Sequence, residues 1–374
     1  MVQPPIRKSY TDLVFEKERS QTRLLLHERS DSFPIGFSQS FLWLITSNNE
    51  LKIVENSALS LSLHNFGKQQ LEEIETAVAI LEPQIAPIIF SDRVVIAGLR
   101  KLLSFTIHPH PNRWLQQKVE LQLPENHQTL FNSEVFCSQT HFELPVTHSS
   151  QKQSSLLKLS YKTLLGEEPS TILSNSVDAL LVGALDEQGD YFWAKDSLSG
   201  AGLIFYCNRS EPTPKLTQIA CPPLRFLVKP SFFGQKLYAI TSDNKLIEMV
   251  LVKNEVFQTR KLNQVERGAR KLLATKERII VSVQDRLVFF DIQTGEFISD
   301  ATEIDTSHMF FDREGTLLTI HRNGHLIFFN PLNPLDRWGD RDATSDDSSV
   351  FDAFIVNNSL YTLSENGEVC RFDF

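Results

Sequence analysis

Cysteine, histidine and serine are the residues of this chain that could do metal or nucleophile chemistry, and their spacing supports neither. The four cysteines, Cys137, Cys207, Cys221 and Cys370, form no C-x-x-C pair and read as free thiols in a reducing compartment. His108 and His110 are separated by one residue in a proline-stiffened turn, with no nearby cysteine or carboxylate to complete a zinc set. His321 and His325 have the spacing of a helical ligand pair, but Asn323-Gly324 between them places a turn there, so the two flank a hairpin. Ser197-Leu-Ser-Gly-Ala-Gly202 has two glycines without the lysine of a phosphate loop. No G-x-S-x-G elbow and no H-E-x-x-H motif occurs. The expectation is a non-enzyme, with no catalytic residue, no metal and no cofactor.

Residues suited to binding a partner are easier to find. Arg260-Lys261, Arg267, Arg270-Lys271, Lys276 and Arg278 make 258–278 locally basic, and Arg267, Arg270 and Lys271 are its candidate contacts for RNA or for an acidic protein surface. Leu71, Ile74 and Val78 recur at helical spacing in 68–82, where Pro83 ends the run, so a helical insertion is predicted there with an apolar face for the chain's own rim or for a partner. Trp114 closes the His108–His110 turn. Trp338 lies in 331–349, which is polar, acidic and rich in turn residues and reads as a mobile loop. Both tryptophans are candidate anchors for a protein partner.

Repeated strands must position these residues. Leu237-Tyr-Ala-Ile-Thr-Ser-Asp-Asn-Lys-Leu246, Leu317-Leu-Thr-Ile-His-Arg-Asn-Gly-His-Leu326 and Leu360-Tyr-Thr-Leu-Ser-Glu-Asn-Gly-Glu-Val369 match one another, and Leu42-Trp-Leu-Ile-Thr-Ser-Asn-Asn-Glu-Leu51 is a fourth copy. In each, two apolar anchors stand nine residues apart around an Asn/Asp followed by Asn/Gly. That is a strand, a tight turn whose residues accept positive φ, and an antiparallel partner. Ile279–Leu287 is the same unit with the turn shortened, and Thr294-Gly295 turns its continuation into a third strand. The starts at Leu237, Ile279, Leu317 and Leu360 are 42, 38 and 43 residues apart.

A period of about 40–45 residues built from short strands is the mark of propeller blades. The chain resembles the WD40-like and quinoprotein-like β-propeller superfamilies, and Leu287–Ile298, with Phe-Phe-Asp-x-x-Thr-Gly, is similar to the third-strand segment of both. The Trp-Asp dipeptide, the Gly-His opening and the tryptophan-docking motif are missing, so the resemblance carries over no functional residue. It implies an all-β fold, a single β-propeller domain over 1–374 with seven or eight four-stranded blades. Unit starts near 42, 94, 134, 179, 237, 279, 317 and 360 favour eight, and the blurred stretch 127–215 leaves seven open. The last unit stops at Phe374 without its outer strands, and the N-terminal segment 1–30, through Asp12–Glu16 or Arg23–His27, is expected to pair with it and close the ring.

Composition sets the wider limits. The chain has 374 residues, of which 41% are hydrophobic and 22% charged, enough for a large core without disulfides or metals. The net charge of −9 disfavours broad nucleic-acid binding and leaves it only to the 258–278 stretch. No apolar h-region opens the chain and no run reaches the ~18 residues of a membrane span, so an intracellular protein, cytoplasmic or nuclear, is expected. A rigid ring with several loop-bearing surfaces suits a scaffold that binds other proteins as a subunit of a larger complex. A regulatory subunit of a nucleic-acid-processing or RNA-modifying complex, or an enzyme with a site in a central channel, is the alternative.

Overall fold

Side chains alternate from one face of a strand to the other, so a strand that reads as a continuous apolar run must be covered on both faces. Lys236–Ile240 shows the consequence. Leu237 and Ala239 pack back against Trp193, Ile204 and Leu224, while Tyr238 and Ile240 pack forward against Ile279, Val281 and Phe290. Tyr191–Asp196 divides the same way: Phe192 and Ala194 face Leu156, and Trp193 faces Leu237. In Arg286–Asp291, Val288 and Phe290 point to one neighbouring sheet, Leu287 and Phe289 to the other. Full burial of one such side chain contributes about 1.5–3 kcal/mol, and every strand of this kind does so toward two neighbours.

A computed structural model describes residues 33–373, apart from 66–87, 107–117, 343–349 and intervening stretches of one to five residues. The described residues form eight antiparallel sheets, met in chain order at 33–65, 88–122, 127–172, 179–218, 231–264, 269–301, 306–342 and 350–373. Six have four strands, the third has five and the last has three, and neighbouring strands in each are joined mostly by short hairpins. One short helix, α1 (Tyr161–Leu164), follows the strand Ser154–Ser160, capped by Ser160 and Thr163 in reciprocal hydrogen bonds. Among the described residues no helix is long and apolar enough to cross a membrane.

The repeat read from sequence is the strand pair at the middle of a sheet. Leu42–Ser47, Arg93–Ala97, Lys236–Ile240, Arg278–Val283, Leu317–His321 and Ser359–Ser364 are each second in their sheet. The turns have the expected backbone: Asn244 (φ 63°), Gln284 (φ 53°) and Gly295 (φ 77°) all take positive φ. The unit starting near Ala179 is out of phase. Ala179–Ala184 is the first strand of its sheet and Tyr191–Asp196, the second, is the equivalent of Lys236–Ile240, so this start falls one strand earlier than the others. The blurred stretch 127–215 resolves into two sheets, the first of them enlarged because His127–Thr129 pairs with the far end of His141–His148.

The segment 331–349 needs a correction. Asn333–Asp342 is a strand, paired with His325–Asn330 through two register shifts, and Trp338 stands opposite Phe328. Its polar composition is that of an outermost strand, whose free edge favours charged residues and bulges. The predicted helix at 68–82, the Trp114 turn and the closing segment 1–30 lie outside the described residues.

A feature invisible in the sequence recurs in the first strands. Those of the first, fourth, sixth, seventh and eighth sheets each carry one extra residue opposite the second strand: Ile35, Val182, Arg270, Ser307 and Phe351. Such a bulge sharpens the local twist. The first strands of successive sheets also meet, Ser231–Phe233 with Ala269–Ala274 and Thr306–Phe311 with Val350–Val356; in the same way Phe33–Phe37 of the first sheet lies beside Val350–Val356 of the last.

Gly202, on the strand beside Tyr191–Asp196, tests how tightly Trp193 is held where it faces the fifth sheet. A Cβ there would stand 1.9 Å from the Trp193 ring, which is 2% exposed and stacked on Phe226 at 5.8 Å. Gly202→Ala should therefore displace the indole and cost about 1–3 kcal/mol, read as a lower urea midpoint together with a shift in tryptophan emission.

Candidate functional site

Buried charges are placed between strands and between sheets. Glu143, fully buried on His141–His148, accepts both Nη1 and Nη2 of Arg209, at 2.5 and 2.9 Å, and lies 3.0 Å from Nε2 of His141. Arg209 follows the third strand of the next sheet, so this bidentate pair ties the third sheet to the fourth. The guanidinium also donates to the Gly189 carbonyl at 2.7 and 3.1 Å, lies 5.0 Å from the Phe136 ring centroid and has Asp190 at 4.0 Å. Gly189 (φ 69°) is needed here: a Cβ would meet the Phe136 ring at 2.6 Å and Arg209 at 2.8 Å.

Glu248 is the centre of a second group. Its Oε2 accepts from Lys236 at 3.0 Å, from the Tyr238 hydroxyl at 3.1 Å and from Arg260 at 3.2 Å. Burial pushes this carboxyl up, and the hydrogen bonds from Lys236 and Tyr238 with the Arg260 charge more than offset that, leaving it below the usual value. Arg260 donates onward to the Gln293 carbonyl at 2.6 Å in the sixth sheet. Tyr238 is held well above an ordinary phenol by burial and by the Glu248 charge. Burial raises Cys207 and Cys221 to about 11, so both remain protonated thiols at neutral pH and are poor nucleophiles. The buried acids Glu143 and Glu248 thus serve internal pairs.

The basic stretch is divided by the fold. Arg267 and Arg270 are exposed at the start of Ala269–Ala274, with Arg270 the bulged residue, and Lys271 is half-buried opposite Ser282. Lys276 and Arg278 lie at the other end of that strand, roughly 16 Å away at the usual rise per residue. Carboxylates intervene: Arg260 pairs with Glu248, Arg278 with Asp291 at 3.3 Å, and the adjoining Arg286 with Glu266 and Asp300. His321 ends one strand and His325 opens its antiparallel partner, so they flank a hairpin as their sequence context requires. Among the described residues no three metal-ligating side chains gather.

An open cavity of about 1010 Å³ lies where turns of the fourth and fifth sheets meet the sixth. Asp186, Asp190 and Tyr191 enter from the first turn of the fourth sheet, Phe232, Leu251 and Val252 from the fifth, and Leu272 and Leu273 from the sixth. Tyr191 and Phe232 are in contact, with ring centroids 5.3 Å apart. The Asp186 carboxylate holds its own turn, accepting the Tyr191 N–H at 2.8 Å and the Asp190 N–H at 3.3 Å. Burial raises this carboxyl above its usual value. Val252, in the lining, is 53% exposed and Phe233, flanked by two lining residues, is 39% exposed. None of these residues drew attention in the sequence. The signal was present in Phe232-Phe233-Gly234 and Val252-Lys253-Asn254, apolar side chains at hairpin tips where polar ones are usual.

The chain matches no protein-family model and no curated protein. Solved structures do resemble it. The computationally designed Ika8 protein aligns with a TM-score of 0.58 at 11% identity, covering 93% of this chain and 98% of that one. Sqt1 of Saccharomyces cerevisiae aligns at 0.54 and 9% identity, covering 93% and 97%. BamB of Moraxella catarrhalis aligns at 0.51 and 13% identity, covering 93% and 100%. The structural neighbours are β-propeller proteins, and at these identities they establish the fold alone. The chain has the fold of a diverged β-propeller.

Glu143 separates buried from surface charge pairs. Glu143→Ala leaves the Arg209 guanidinium without its carboxylate and should cost about 3–5 kcal/mol. Lys101→Ala, which removes an exposed pair with Glu120 (2.6 Å), should leave the urea midpoint in place.

Proposed function

We propose that the protein is a non-catalytic β-propeller scaffold that binds other proteins as a subunit of an intracellular complex. The observation that carries this reading is where its chemistry is placed. The buried carboxylates and the buried Cys207 thiol described above are internal, while apolar side chains stand exposed at turn ends around an open cavity. Buried, paired groups hold blades together; exposed apolar groups beside a concavity suit a protein partner.

The scaffold is a ring of eight blades. Eight sheets in chain order and the closeness of Phe33–Phe37 to Val350–Val356 support this count. Among the described residues the last blade has three strands where six others have four, and its outer edge, Val369–Asp373, would accept one more. The N-terminal segment 1–30 supplies that strand, from Asp12–Glu16 or Arg23–His27.

Affinity purification of the full chain followed by size-exclusion chromatography tests the scaffold reading. A protein that co-elutes at fixed stoichiometry is the expected result, and a chain that always elutes alone would overturn it. Closure has its own test. Truncation at Gly367 and deletion of 1–30 should each lower the melting temperature of the whole domain in one cooperative transition; variants that melt like the intact chain would remove the closing strand from the account.

A further inference from the structure

Arg209 shows what holds a guanidinium in this protein. It sits on an aromatic ring, Phe136, with one carboxylate in a bidentate grip, a second carboxylate nearby and a backbone carbonyl beneath. The open cavity presents the same combination a few residues away: the rings of Tyr191 and Phe232 in contact, with the carboxylates of Asp186 and Asp190 beside them. The cation in its lining, Lys229, is engaged by Glu134 on the neighbouring sheet. We propose that this cavity receives an arginine side chain from an extended, basic segment of a protein partner, its guanidinium against Asp186 and Asp190 and its stem over Tyr191 and Phe232. This inference rests on the scaffold reading and adds to it the chemistry of the partner.

The charge balance favours such an occupant. Asp186 and Asp190 are the carboxylates of the lining; its Lys229 is held by Glu134, and among the described residues Asp186 is in no ion pair while Asp190 shares Arg209, itself gripped by Glu143, at 4.0 Å. Lys253 is exposed at the rim beside Val252. The two aspartates are close enough to Tyr191 to add to the burial that holds its phenol above the usual value. Asp186 is itself raised by burial, the response of a carboxylate short of compensating charge, and an incoming guanidinium supplies that charge. Arginine fits better than lysine because its plane stacks on aromatic faces while its edge grips carboxylates. Val252 in the lining and Phe233 between two lining residues offer exposed apolar contacts, so the segment carries an apolar residue next to the arginine. The chain's net charge of −9 draws a basic segment toward it.

Fluorescein-labelled Ser-Gly-Phe-Arg-Leu-Gly-Ser is the probe, with versions carrying citrulline or glutamate in place of arginine. Anisotropy with the full chain at low salt should show the arginine peptide binding at least ~10-fold more tightly than the citrulline peptide, as expected when a charge-assisted pair is lost, and no binding of the glutamate peptide. Asp190→Asn and Val252→Ser should each weaken the arginine peptide by about 10-fold without moving the melting temperature; Asp186 is left intact because it holds the turn. Equal binding of the arginine and citrulline peptides, no binding of either, or variants that bind like the unaltered chain would overturn the inference. If the peptides fail while a partner still co-elutes with the chain, the arginine site alone is lost. If no partner co-elutes either, the scaffold reading goes with it.

Discussion

Two-sided burial is the constraint on which the structure depends. A strand such as Lys236–Ile240 presents apolar side chains on both faces, so its sheet is stable only between two others. The requirement passes from sheet to sheet along the chain, and the closed ring proposed above would let the first and last sheets cover one another. Phe33–Phe37 lies beside Val350–Val356, as the proposed ring requires, and the bulges at Ile35, Val182, Arg270, Ser307 and Phe351 sharpen the local twist of their first strands.

Polar groups refine this arrangement. Glu143 with Arg209, and Arg260 with the Gln293 carbonyl, place charge-assisted hydrogen bonds across sheet boundaries where hydrophobic contact alone would tolerate sliding. Each buried acid is satisfied by several donors, as its loss of water requires. Turn residues then set what faces outward. Asp186 folds back on the backbone of its own turn, which orients Asp190 and Tyr191 toward the cavity, and Gly189 leaves room for Arg209 to pass behind them. The rigidity of the blades and the shape of the cavity come from the same few residues.

Much of the fold was legible because it repeats. The apolar anchors at Leu42, Leu237, Leu317 and Leu360 mark second strands, and Asn244 and Gly295 mark turns, since few residue types suit those backbone angles. Where strands are polar, local pattern fails. Asn333–Asp342 looks like a loop because an outermost strand carries charge, and only its pairing with His325–Asn330 shows otherwise. The phase at Ala179 was lost because sequence pattern does not say which strand of a sheet comes first. The binding features were less legible still. Arg267 and Lys276 are neighbours in sequence and lie toward opposite ends of a strand, whereas Asp190 and Leu272 are far apart in sequence and share a cavity.

Ring closure is tested most directly by a distance between equivalent positions of the first and last sheets. Spin labels on Ser47 and Ser364, at the ends of the two second strands, can be compared with labels on Ser242 and Asp285, which stand at the same turns of the adjacent fifth and sixth sheets. Pulsed dipolar spectroscopy should return the same short, narrow distance for both pairs. A narrow distance for the 242–285 pair with a long or broad one for 47–364 would mean that the first and last sheets do not meet, and the ring account would be wrong.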